Sequence, residues 1–103
     1  MRKTTNQNKE EKPMDLIIPE TNKKQFNELA EKIIDELAKV FPVGIELYDF
    51  PFIEENEELF IPTINYLIHS GYLLKSDEYR ACYLTEKSVK SLNNRTGFPP
   101  IVP

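Results

Sequence analysis

The chain has one cysteine (Cys82), one histidine (His69) and three glycines in 103 residues. A lone cysteine has no internal disulfide partner, which fits a reducing compartment. With so few glycines, none of them in a run, there is no loop of the kind that cradles phosphate. One histidine and one cysteine fall short of the three or four ligands that zinc requires. No third group is placed to orient them as nucleophile and base. Acid pairs such as Glu54 and Glu58 occupy a helix face without a pocket signal, so they read as solvent charges. Apolar runs are short, as at Leu59 to Ile61, and none is long enough to span a membrane. The opening MRKTTNQNKEEKP has no apolar stretch and does not read as a secretory signal. The expectation is a cytoplasmic, non-catalytic chain without metal or cofactor.

A second scarcity is local. From Ile53 to Leu74 there is no Lys or Arg, while Glu54, Glu55, Glu57 and Glu58 crowd its start. The net charge of −4 is unevenly spread. Residues 1–40 balance eight basic against eight acidic side chains, whereas 41–92 hold Lys75, Arg80, Lys87 and Lys90 against nine acids. The acidity belongs to the middle of the chain.

What is present is one domain's worth of patterned sequence. Residues 1–20 read as a disordered or extended arm, with Asp15-Leu-Ile-Ile-Pro19 as a short apolar piece at the domain edge. Apolar side chains at Phe26, Leu29, Ala30, Ile33, Ile34, Leu37 and Val40 predict a helix over Lys23 to Lys39. Asn22 and Gln25 form a capping-box-like start, and Glu28–Lys32 and Asp35–Lys39 are acid-before-base pairs. Val43 to Phe52 fits either a short strand or one or two helical turns, closed by Pro51. Proline inside a helix removes a donor, so Pro62 predicts a short helix at 54–60, a bend, and a second helix from Pro62 to Ser70. Leu59, Phe60, Ile64, Leu67 and Ile68 form its buried face, and Gly71 its cap.

Tyr72 to Lys75 and Arg80 to Leu84 predict a hairpin around Ser76-Asp77-Glu78-Tyr79, with Tyr72 and Leu74 on one side. Thr85 should cap a last helix from Glu86 to about Asn93, with Val89 and Leu92 inward. Tyr48, Phe50, Phe52 and Phe60 are largely core, as a domain this small needs large buried side chains. The domain runs over 21–93, and the proline-rich tail 94–103 should be extended.

Residues 63–92, TINYLIHSGYLLKSDEYRACYLTEKSVKSL, resemble the second half of winged-helix regulators of the MarR-like and PadR-like families. The resemblance rests on a leucine-rich helix ending in Ser70-Gly71-Tyr72-Leu73, a charged hairpin tip, and Leu84-Thr85-x-Lys87 opening a final helix. It implies an α+β winged helix-turn-helix, a helical core carrying a C-terminal two- or three-stranded β-hairpin wing. The helix before Gly71 becomes the recognition helix and Asp77 to Arg80 the wing tip. Ser88 stands where those families usually carry glycine. The resemblance also implies DNA binding, and a homodimer formed through terminal helices.

Two functions follow. In the first, the chain is a small adaptor or regulator making protein contacts through Glu54, Glu55, Glu57, Glu58, Asn65 and His69. In the second, it is a DNA-binding transcription regulator: Thr63 and Asn65 approach bases, His69 meets a phosphate, and Lys75 and Arg80 hold the backbone. Arg2, Lys3, Lys9 and Lys12 of the arm would assist. Duplex binding depends on basic side chains displacing phosphate counterions, and a base-free recognition segment opposes it. Glutamates at a helix N-terminus also complement its dipole without any partner. The balance of charge favours a protein partner.

Overall fold

A computed structural model describes residues 17–78, 80–94 and 100–102. Among these, three α-helices and a three-stranded antiparallel sheet make an α+β domain. Residues 1–16 of the expected arm lie outside the described residues, as do Tyr79 and most of the tail.

The first helix, α1 (Glu20–Val40), buries Leu29, Ala30, Ile33, Ile34 and Leu37, the stripe that the three- and four-residue spacing draws. It begins one turn earlier than its sequence suggests. Pro19, not Asn22, stands at the cap, and its carbonyl accepts from the Asn22 and Lys23 amides at 3.0 and 3.1 Å. Proline fits this place because its missing N–H would have no helical partner there. Lys39 pairs with Glu36 at 3.0 Å rather than with Asp35. Val40 and Phe41 run past the core and are exposed.

The Phe41–Pro42 bond is cis. The chain then resolves the ambiguous stretch both ways, as a two-residue strand β1 (Ile45–Glu46) followed by a 3-10 turn, Leu47–Asp49. Phe50 and Phe60 are buried and meet Phe52 in an aromatic cluster, with centroids 5.3 to 6.4 Å apart. Tyr48 is exposed.

A second 3-10 turn, Glu54–Asn56, leads into α2 (Glu57–His69), which runs through Pro62 without a break. The expected boundary at Pro62 is therefore absent. The inner face made by Phe60, Thr63, Ile64 and Leu67 packs on the core. That packing holds the helix together across the one donor that proline lacks. Leu59, expected inside, lies off that face and is 40% exposed.

Gly71, with φ +87°, turns the chain out of α2 into β2 (Leu73–Ser76) and β3 (Ala81–Leu84). This left-handed conformation is one that glycine adopts freely. The sheet order is β1-β3-β2, with Ile45 opposite Cys82 and Leu73 opposite Leu84. Leu73, not Leu74, faces the core; Leu74 is exposed on the other side, opposite Tyr83. At the hairpin Arg80 takes φ 53°, and its carbonyl accepts from the Leu47 amide at 3.1 Å.

Thr85 caps α3 (Glu86–Asn93): its hydroxyl accepts from the Ser88 amide at 3.3 Å and donates to the Gly71 carbonyl at 2.6 Å. Ser88 is fully buried and its hydroxyl donates to the Tyr72 carbonyl. A glycine at that position would lack this bond. The tail is not simply extended: Ile101 sits at a bend and packs against the core, while the Asn27 side chain bonds Ile101 and Val102.

Candidate functional site

The residues singled out by sequence spread along α2 and onto the hairpin. Glu54 and Glu55 on the 3-10 turn and Glu57 and Glu58 in the first turn of α2 are all exposed. Asn56 does not cap the helix; its amide turns back to the Phe52 carbonyl at 3.1 Å. The two helical glutamates thus face the N-terminal dipole directly. Glu58, Pro62, Asn65 and His69 recur at four, three and four residues and form an exposed outward stripe. Thr63 does not join it. It is 3% exposed on the inner face, so its proposed approach to a base edge has no surface to act through.

Beside this stripe lies a seam between α1 and α2. Its acidic end is a crevice of about 420 Å³ lined by Glu28, Glu54, Glu55, Glu57 and Glu58, with Lys32 as the basic member. Its other end, of about 360 Å³, is lined by Phe26, Leu59, Pro62, Thr63 and Tyr66 with Asn22 and Gln25. Gln25 and Leu59 border both, so charge and apolar surface run end to end. Phe26 and Tyr66 meet edge to face at 5.0 Å. Tyr66, at 47% exposure, leaves apolar surface open in the seam. Sequence reasoning missed this groove. Leu59 and Tyr66 share the spacing of a buried stripe, and only the placement of α1 leaves them half open.

Lys75 and Arg80 are exposed on the hairpin. The two bases of α3 are otherwise occupied. Lys87 donates to the Ser70 carbonyl at 2.9 Å and lies 4.3 Å from the Tyr72 ring centroid. It thereby satisfies a carbonyl at the end of α2 and adds a cation–π contact. Lys90 pairs with Glu86 at 3.2 Å.

His69 is exposed, whereas Cys82 is fully buried in the central strand. Burial pushes the Cys82 thiol up from 9.0 to about 11, against a smaller downward pull from the Lys75 ammonium. A thiol so raised stays protonated at neutral pH and is a poor nucleophile. Among the described residues, no group of three or more His, Cys, Asp or Glu side chains is placed to hold a metal ion. No helix of the described residues is long and apolar enough to cross a membrane.

No known protein family matches the chain, and neither does any curated protein or solved structure.

Proposed function

We propose that the chain is a winged-helix-type binding module without catalytic activity. In this reading it acts as a small regulator or adaptor through protein contacts made by α2 and its acidic approach. The scaffold part rests on connectivity: α2 leads through Gly71 straight into the hairpin, and β1 adds beside β3 as a third strand. That is the arrangement expected of a recognition helix followed by a wing.

One observation carries the choice of partner. The exposed surface of α2 presents glutamates, Asn65, His69 and half-open apolar side chains, with no lysine or arginine. Lys87 and Lys90 lie on α3, off that surface, and each makes an exposed contact within the domain. Residues 41–92 offer a phosphate backbone four bases, Lys75 and Arg80 on the hairpin and Lys87 and Lys90 on α3, against nine acids, a poor footprint for the counterion release that drives duplex binding. A protein carrying basic and apolar side chains in sequence fits the seam by charge and by surface. The alternative, a DNA-binding transcription regulator, is favoured by the exposure of Asn65 and His69 and by Lys75 and Arg80 on the hairpin.

Fluorescence anisotropy of a labelled random duplex, titrated with the full chain at low and physiological salt, separates the two. The expected outcome is no binding at either salt. Tight low-salt binding that collapses as salt is added would overturn the protein reading. In affinity capture from cell extract, Glu57→Lys with Glu58→Lys should abolish a partner band retained by the wild type. An unchanged band would remove that face from the interface.

A further inference from the structure

The Asn27 side chain, on α1, ties residues 101 and 102 to the body of the domain. Its amide oxygen accepts from the Ile101 and Val102 amides, both at 3.0 Å. Its amide nitrogen donates to the Val102 carbonyl at 2.8 Å. The pattern fixes the orientation of the amide, since only oxygen accepts two N–H donors and only nitrogen reaches a carbonyl. Successive N–H groups of an extended chain point to opposite sides. For two of them to converge on one atom the backbone must bend, and Ile101 lies at a bend. Consecutive amides turned to one side make a concave donor pair suited to an oxygen acceptor. The bend also turns the Ile101 side chain against the core, where it is partly buried.

These contacts divide into two kinds. The three hydrogen bonds are all to main chain, so they read the shape of a segment, not its side chains. The Ile101 side chain supplies the apolar anchor. Main-chain hydrogen bonds for affinity and an anchoring side chain for selectivity are how peptide-binding sites work. Nothing in the glutamate face or the α1–α2 seam requires this arrangement.

We propose that Asn27 and the core surface against which Ile101 packs form a peptide-binding site, of which Pro100-Ile101-Val102 is the resident ligand. The site takes a short apolar segment of Pro-aliphatic-aliphatic sequence that bends at its first aliphatic residue. The chain's own tail occupies it by virtue of its tether, which sets a local concentration in the millimolar range. A peptide supplied from outside therefore competes poorly until the resident segment is released.

The test uses the full chain and a labelled heptapeptide, GFPPIVP, followed by fluorescence anisotropy. Ile101→Asp removes the anchor, and Val102→Pro removes one of the two amide donors while keeping Ile101. Both variants should fold, as read by thermal melting. Each should bind the peptide at least about tenfold more tightly than the wild type, which its own tail blocks. Adding Asn27→Leu to either should weaken that binding again by about tenfold or more, as three hydrogen bonds to the segment are lost. Binding that is absent from both released variants, or that ignores Asn27→Leu, would overturn the proposal. So would failure of both to fold, because the segment would then be an inseparable part of the core.

Discussion

Gly44 sits just before β1, where the backbone and a ring of β3 crowd it. A Cβ built there would lie 2.5 Å from the Cys82 carbonyl oxygen and 2.7 to 2.8 Å from the Tyr83 ring. Ordinary carbon–oxygen contact begins near ~3.4 Å, so Gly44→Ala demands a shift of roughly 0.9 Å. The Tyr83 ring can swing. The carbonyl cannot, because it belongs to the central strand, which is paired on both sides. β1 must retreat instead, loosening the Ile45–Cys82 and Glu46–Ala81 pairing and the Leu47 to Arg80 hydrogen bond. Overpacking of this kind costs about 1–3 kcal/mol. For a domain of this size that lowers the melting temperature by roughly 5–20 °C.

Thermal unfolding followed by far-ultraviolet circular dichroism measures it. Gly71→Ala is the informative companion, because the reason for that glycine is different. Its Cβ would meet nothing closer than the Lys87 Cδ at 3.8 Å, but φ +87° strains any side chain. Its cost should be about 1–2 kcal/mol and should come from backbone conformation alone. A Gly44→Ala variant melting within a degree or two of the wild type would refute the close approach of β1 to β3.

Two further outcomes follow from single residues. Pro62 lies inside α2, so Pro62→Ala restores a helical donor and should raise the melting temperature by the equivalent of about 1–3 kcal/mol; a fall would mean that the ring's contacts in the seam outweigh the missing bond. The Cys82 thiol ionises near 9.0 when unfolded and near 11 when folded, so between those values the unfolded chain releases a proton that the folded chain retains. Stability therefore falls as pH rises through that window, by on the order of 2–3 kcal/mol in all. Urea midpoints at pH 8 and 10.5 should drop further for the wild type than for Cys82→Ala, and equal drops would refute the assignment.

Much of this architecture is legible in the residues. The stripe from Leu29 to Leu37 could be read because a helix repeats every three or four residues and its inner face is continuous. The Thr85 cap is legible because its capping bond, from the Ser88 amide three residues on, is local. Where the reading failed, the deciding contacts were remote or the pattern was degenerate. Tyr72-Leu73-Leu74 offers apolar side chains to both faces of a strand, and only pairing with Leu84 selects Leu73. Pro62 obeys a local preference for a helix start, which the packing of Phe60, Ile64 and Leu67 overrides. Among the candidate contacts, Glu58, Asn65 and His69 were readable as a solvent stripe, and the Phe60–Thr63–Leu67 spacing already set Thr63 on the inner face, which its polarity disguised. The bonds from Asn27 to Val102 cross 75 residues, and no local pattern carries them.

The strand order also sets a sequence of events in time. β2 and β3 are neighbours along the chain and close a short turn between Ser76 and Ala81. β1 reaches β3 only by bringing Ile45 to Cys82 across about 37 residues. Each doubling of a loop costs about 0.6 kcal/mol in closure entropy, so the longer closure is harder by about 2 kcal/mol. A two-residue strand has few hydrogen bonds to set against that cost. The hairpin can therefore form early, with β1 joining once Phe50 and Leu47 have been buried. In the native state the same asymmetry makes β1 the part of the sheet that opens first. Its amides should therefore exchange with solvent faster than those paired between β2 and β3.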